Sequence, residues 1–111
     1  MAEATTDVMQ EIENEIRDNK VMIYMKGNPS FPQCGFSAAT IEIFEELDKP
    51  FHTVDVLSEP AKREAIKRYS NWPTIPQIYI DGKFVGGCDI VRELHERGEL
   101  QSLVDRAFPE R

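Results

Sequence analysis

The alternation of apolar and polar positions predicts a regular series of helices and strands. Val8, Ile12 and Ile16 recur every fourth residue among acids and asparagine, the stripe of an amphipathic helix over residues 4–19. Val21-Met22-Ile23-Tyr24-Met25 is an unbroken apolar run, as expected of a strand covered on both faces. Two prolines and a glycine between Gly27 and Gln33 exclude regular structure there. A second helix is predicted over about 35–48, with Phe36, Thr40, Ile43, Phe44 and Leu47 as its inner stripe, and a second strand over 51–56. Ser58-Glu59-Pro60 reads as a helix start, with Ser58 as the capping hydroxyl and Pro60 in the first turn. This third helix carries Ala65, Ile66 and Tyr69 on one side and ends at Asn71-Trp72-Pro73. Strands at 77–80 and 83–85 flank Asp81-Gly82, a two-residue hairpin signal. Gly86-Gly87 breaks the second of them, a fourth helix spans about 89–97, and Gly98 stops it. A fifth, 99–107, turns Leu100, Leu103 and Val104 inward.

The order is α-β-α-β-α-β-β-α-α. A helix between the first two strands implies a right-handed parallel crossover, and the Asp-Gly turn makes the last pair antiparallel. The expected class is α/β: a mixed four-stranded sheet with about five helices on its two faces.

At 111 residues the chain is one domain, 1–111. A composition 41% hydrophobic and 30% charged is that of a folded protein. Thirteen basic against twenty acidic residues leave a net charge of −7, which argues against general binding to nucleic acid or anionic membrane but permits a local basic pocket. No apolar run approaches the roughly 20 residues of a membrane span. The acidic start of the chain has no basic segment leading into an apolar one, so a cytoplasmic location is expected. Two cysteines are too few for a disulfide scaffold.

Cys34 is the first candidate for chemistry. It follows a strand and a turn and stands at a predicted helix start, where outward N–H groups and the helix dipole favour thiolate over thiol. Lys26, closing the first strand, adds positive charge. The motif reads Cys34-Gly35-Phe36-Ser37. A serine cannot close an internal disulfide. The thiolate must therefore react with an external thiol, pair with a distant cysteine, or bind a metal. Trp72 and Tyr24 read as packing residues, and His52 and His95 have no metal-ligand spacing with either cysteine.

Cys34-Gly35-Phe36-Ser37, Met25-Lys26-Gly27 with the loop Asn28 to Gln33, Asn71 to Gln77, and Gly86-Gly87-Cys88-Asp89 occur in this order along nearly the whole chain. Together they resemble the single-domain monothiol glutaredoxins, and in particular the bacterial glutaredoxin 4 class. The resemblance implies a thioredoxin-like fold and glutathione binding. It sets Lys26 and Arg63 at the glycyl carboxylate. It places Ile75 before a cis Pro76, where the Ile75 backbone meets the cysteinyl part. It assigns backbone N–H groups of Gly87, Cys88 and Asp89 to the γ-glutamyl carboxylate, and the Asp89 carboxylate to the ammonium. Apart from the resemblance, Arg63 reads as a solvated helix charge and Asp89 as a helix cap. Cys88 keeps two roles, a packed residue beside the ligand or a disulfide partner for Cys34.

One protein thiolate cannot fill the four thiolate positions of a [2Fe-2S] unit. The resemblance implies a homodimer bridged by such a cluster, with one Cys34 and one glutathione from each protomer. It implies cluster carriage to apo iron-sulfur proteins and pairing with a BolA-type protein. The alternative is a glutathione-dependent thiol-disulfide oxidoreductase that uses Cys34 as nucleophile, an activity usually weak in this class.

Overall fold

Strand β1 (Val21–Met25) sorts its side chains to two faces. Val21, Ile23 and Met25 enter one core, and Met22 and Tyr24 the other, as the two-residue period of a strand requires. The whole strand is buried, which is why the run is apolar without interruption. The computed structural model describes residues 3–109. Its sheet has the order β2 (His52–Asp55), β1, β3 (Gln77–Ile80), β4 (Lys83–Gly86). β1 runs parallel to β2, with Met22 opposite His52, and antiparallel to β3, with Val21 opposite Ile80. β3 and β4 form the antiparallel hairpin, turned at Asp81 (φ 54°) and Gly82 (φ 82°).

Helices α1 (Glu3–Asp18) and α3 (Pro60–Ser70) cover the Met22–Tyr24 face through Ile12, Ile16, Ala65 and Ile66. Helices α2 (Gly35–Glu46), α4 (Cys88–Glu96) and α5 (Glu99–Ala107) cover the other through Ile41, Phe44, Val91, Leu100 and Val104. The expected mixed sheet between helices on both faces is thus present. Most element ends lie within a residue or two of the sequence reading. Gly98 takes the left-handed conformation (φ 76°) between α4 and α5, as a stop signal should.

Two local expectations are corrected. Phe36 is 58% exposed and is no part of the inner stripe of α2. That stripe begins one residue later, at Ser37, and continues through Thr40, Ile41 and Phe44, the i, i+3, i+4, i+7 face. Ser58 does not cap α3. The N-cap is Glu59 without a side-chain bond, because the Ser58 hydroxyl donates instead to Asp55 Oδ2 at 2.9 Å.

Among the described residues, one charged side chain is buried. Lys62 Nζ on α3 is 2.7 Å from Glu15 Oε2, 3.2 Å from Glu59 and 3.4 Å from Glu11. Tyr24 donates its hydroxyl to the other Glu15 oxygen at 2.7 Å. Burial pulls the Lys62 ammonium's pKa down, but Glu15 and Glu59 overcome this and hold it above its usual value. This cluster ties α3 to α1 and to β1.

Candidate functional site

The site begins where β1 ends. Ser37, fully buried in the first turn of α2, accepts the Lys26 N–H at 3.1 Å and joins strand end to helix start. Cys34 is the N-cap of α2, extended at φ −158°, and its sulfur makes no capping bond. Burial pushes the Cys34 thiol up. The N–H groups of Ser37 and Phe36, the Lys26 charge and the Ser37 hydroxyl more than offset this and leave it below the ordinary thiol value.

The loop between Lys26 and Cys34 is irregular but held by several hydrogen bonds. Gly27 has φ +87°, and a Cβ there would stand 2.4 Å from the Phe31 carbonyl oxygen, so only glycine fits. Asp55 Oδ1 accepts N–H bonds from Gly27 and Leu57, each at 2.9 Å. Asn28 Oδ1 accepts from Ser30 and Phe31, also at 2.9 Å. Gln33 N–H reaches back to the Lys26 carbonyl at 2.8 Å. Burial raises the Asp55 carboxyl, and the Gly27, Ser58 and Leu57 donors overcome that and hold it below its usual range.

Across the groove from Cys34, α3 ends at Asn71 in the left-handed conformation and the chain runs as Trp72 to Pro76 into β3. The Ile75–Pro76 bond is cis. The fully buried Gln77 side chain donates to the Trp72 carbonyl at 2.9 Å and the Thr74 carbonyl at 3.2 Å, and accepts the Tyr79 hydroxyl at 3.2 Å. The Trp72 ring leans on Phe84, with centroids 5.6 Å apart. Gly87 is the N-cap of α4. A Cβ on Gly87 would lie 3.3 Å from the Pro76 carbonyl oxygen and 3.5 Å from Trp72 Nε1. Cys88 is buried and receives an Arg92 N–H at 3.5 Å, while Asp89 is exposed and pairs with Arg92 at 3.5 Å. Asp89 therefore does not cap α4. Both thiols are free.

These parts enclose a groove of about 510 Å³. Lys26, Cys34, Arg63, Ile75, Pro76, Gly87, Cys88 and Asp89 all line it, so the sequence-predicted residues converge on one place. Lys67, Phe36, Trp72, Pro73, Thr74 and Ile90 line it as well and were not foreseen. Lys67 had a legible signal, since it follows Arg63 by four residues and shares its helix face. Trp72 packs, as expected, and also forms a groove wall. Tyr24 lies away from the groove, within the α1–α3 core. His52 is exposed, and His95 sits 3.1 Å from Glu46. Among the described residues, two buried donors, Arg63 Nε and Trp72 Nε1, have no hydrogen-bond partner. The groove has cations at its α3 side, a thiol at its mouth and a glycine turn opening a helix at its far end. That donor set suits a small, elongated ligand with carboxylates and a sulfur.

A glutaredoxin family model matches residues 21–85. The chain belongs to the glutaredoxin family. With Ser37 where a second thiol would stand, it is of the monothiol kind. It is 51% identical over 97 residues to an uncharacterized monothiol glutaredoxin of Synechocystis, covering 87% of this chain and 91% of that protein. It is 45% identical to Escherichia coli glutaredoxin 4, covering 86% and 84%. The rice chloroplastic monothiol glutaredoxin-S7 is 48% identical across 87% of this glutaredoxin, which spans 58% of the rice protein's length. Among solved structures, reduced poplar apo GrxS14 superposes with a TM-score of 0.79 at 44% identity, covering 89% and 91%. A buckwheat glutaredoxin–glutathione complex superposes at 0.84, covering 97% and 96%; at 23% identity this likeness bears on the fold alone. The thioredoxin-like fold expected from the sequence is therefore established. Among the described residues no helix is long and apolar enough to cross a membrane.

Proposed function

We propose that this glutaredoxin binds glutathione in the groove and, as a homodimer, carries a [2Fe-2S] cluster through Cys34. The observation that carries the reading is a single thiol, held below its ordinary pKa, at the mouth of a groove lined by cations and a glycine turn. Lys26 and Arg63 pair with the glycyl carboxylate. The Ile75 backbone meets the cysteinyl unit. Gly87 and Cys88 offer backbone N–H groups to the γ-glutamyl carboxylate at the start of α4, and the Asp89 carboxylate takes the ammonium.

The donor set fits a shared cluster. Of the two free thiols in the groove, Cys88 is buried against Arg92, which leaves Cys34 as the soft donor one chain offers to a shared cluster. The remaining thiolates come from a second Cys34 and from two glutathiones. Half of that ligand set is exchangeable, which suits cargo that is handed on. The recipients are apo iron-sulfur proteins, a BolA-type protein is a heterodimer partner, and the working compartment is the cytoplasm.

Anaerobic reconstitution with iron, sulfide and glutathione tests this. The wild type gains visible cluster absorbance and elutes as a dimer. Cys34→Ser gains neither and keeps its far-UV circular dichroism. Full absorbance in Cys34→Ser overturns the reading.

The lowered Cys34 thiol also supports a second reading, reduction of glutathionylated proteins. The thiolate attacks the glutathione sulfur of a mixed disulfide, forming a Cys34–glutathione disulfide and releasing the protein thiolate, which takes up a proton. A second glutathione thiolate then attacks that glutathione sulfur, giving glutathione disulfide and restoring the Cys34 thiolate. Fast glutathione-coupled turnover by the cluster-free protein favours this reading.

A further inference from the structure

We infer that Gln77, which does not itself line the groove, is the positioning residue that sets the spacing between its two far walls. The inference rests on the glutathione reading for its ligand, but its structural part stands apart from it. Gln77 is fully buried, and a buried amide persists only when its hydrogen bonds repay its desolvation. Its side-chain N–H groups go to the carbonyls of Trp72 and Thr74, two residues of one groove wall. Its oxygen is fixed by the Tyr79 hydroxyl, itself 2% exposed on the same strand. The side chain of Gln77 therefore ties the wall segment to β3 across the chain's own turn into that strand.

The wall in turn sets the second wall. The Trp72 ring is lodged on Phe84 of β4 and brings its indole nitrogen to within 3.5 Å of the Cβ position of Gly87. The Pro76 carbonyl oxygen approaches the same point at 3.3 Å. These contacts place the 72–76 segment directly against the turn that opens α4. The Trp72 indole N–H is buried without a partner among the described residues, while its backbone N–H is held by the Lys67 carbonyl and the Ser70 hydroxyl. A shift of the Trp72 carbonyl moves the ring, and the ring moves Gly87 and its neighbours. Losing the Gln77 amide frees two carbonyls to seek water, which opens the 72–76 segment away from β3. A ligand that binds both the Ile75 backbone and the Gly87–Asp89 turn then meets walls at the wrong separation, a loss of preorganisation. Cys34 lies outside this chain of contacts, because the groups that lower its thiol are the Ser37 and Phe36 N–H groups, the Lys26 charge and the Ser37 hydroxyl.

The test compares Gln77→Met, similar in length but without the amide, with Val104→Ala. The latter truncates a fully buried side chain on α5 and lies away from the groove. Two readouts are taken on the full chain. The first is the indole N–H resonance of Trp72, the one tryptophan. It moves in Gln77→Met and stays in Val104→Ala. The second is titration with reduced glutathione. Kd rises about tenfold in Gln77→Met, the size expected for losing two buried hydrogen bonds that hold a wall, and is near wild type in Val104→Ala. The Cys34 alkylation profile against pH is unchanged in both. If Gln77→Met does not fold, Gln77→Glu, which keeps an acceptor for the Tyr79 hydroxyl but loses the N–H groups that hold the Trp72 and Thr74 carbonyls, shifts both readouts in the same direction. An unmoved indole resonance overturns the inference. So does an unchanged Kd, or a rise that Val104→Ala matches. If the wild type itself fails to bind glutathione, the functional reading falls, and the indole resonance alone decides on Gln77.

Discussion

Ser37 stands where a second thiol would make a dithiol motif, and its hydroxyl serves the first thiol instead. It accepts the Lys26 N–H and contributes to lowering the Cys34 thiol, behind the Ser37 and Phe36 N–H groups. Ser37→Ala keeps those N–H donors, so the Cys34 titration moves upward without returning to an ordinary value. Alkylation near neutral pH slows by roughly two- to tenfold and is unchanged well above both titrations, where the thiol is fully ionised in either protein. Iodoacetamide rates across pH check this. Cys34 itself was legible because thiol, turn and helix start are all local signals. Phe36 was misplaced because a stripe read from periodicity can begin one residue early, and only the packing of Ser37 against β1 fixes its phase. Lys67 was overlooked although its spacing of four from Arg63 puts both on one helix face, because whether this face meets a groove is decided by the 72–76 segment and α4, further along the chain.

Among the elements, the Asp55 carboxylate holds the loop that carries Lys26 to Cys34. It does so by accepting from Gly27, Leu57 and Ser58 at once. Its carboxyl lies below the usual range when folded, so its stabilisation is present above the unfolded value of about 3.9 and fades as pH falls through the lower folded value. Asp55→Asn keeps an acceptor and loses the charge. It costs about 1–2 kcal/mol in urea denaturation at pH 7, and the gap from wild type narrows as pH is lowered past both values. Helices and strands were legible from their periods, 3.6 and 2. The start of α3 was not, because Asp55, three residues upstream, takes the Ser58 hydroxyl that would have capped it. Lys62 was hidden for a related reason. A lysine in a charged helix reads as solvated until α1 supplies Glu11 and Glu15. Lys62→Met leaves Glu15 paired only with Tyr24 and destabilises the α1–α3 contact by about 1–3 kcal/mol. Its contribution is complete below the unfolded lysine value of about 10.4 and fades as pH rises through the higher folded one. Denaturation midpoints at pH 7 and pH 11 check the sign.

For the whole molecule, the sequence reading foresaw a mixed sheet with helices on both faces but not which strand lies beside β1. That choice, β3 antiparallel to β1, joins residues more than fifty positions apart and leaves no local trace. It is also what brings Ile75 and Pro76 into one groove with Lys26 and Cys34. Ligand binding is therefore linked to global stability. Glutathione at about a hundredfold its Kd stabilises by about 2.7 kcal/mol, which raises the melting temperature by several degrees. Arg63→Ala loses most of that rise while melting near the wild type in the absence of ligand. Scanning calorimetry with and without glutathione measures both.

The groove is assembled from β1, the start of α2, α3, the Trp72–Pro76 segment and α4, so no half of the chain contains it. A ribosome-bound fragment that has emerged only as far as α2 carries Cys34 without the finished surroundings that tune it. Its sulfur then behaves more like that of any unfolded peptide, mostly protonated and slow to react near neutrality. Full reactivity is acquired when α2 forms and Ser37 seats against the end of β1, which brings the Ser37 and Phe36 N–H groups and the Lys26 charge around the sulfur.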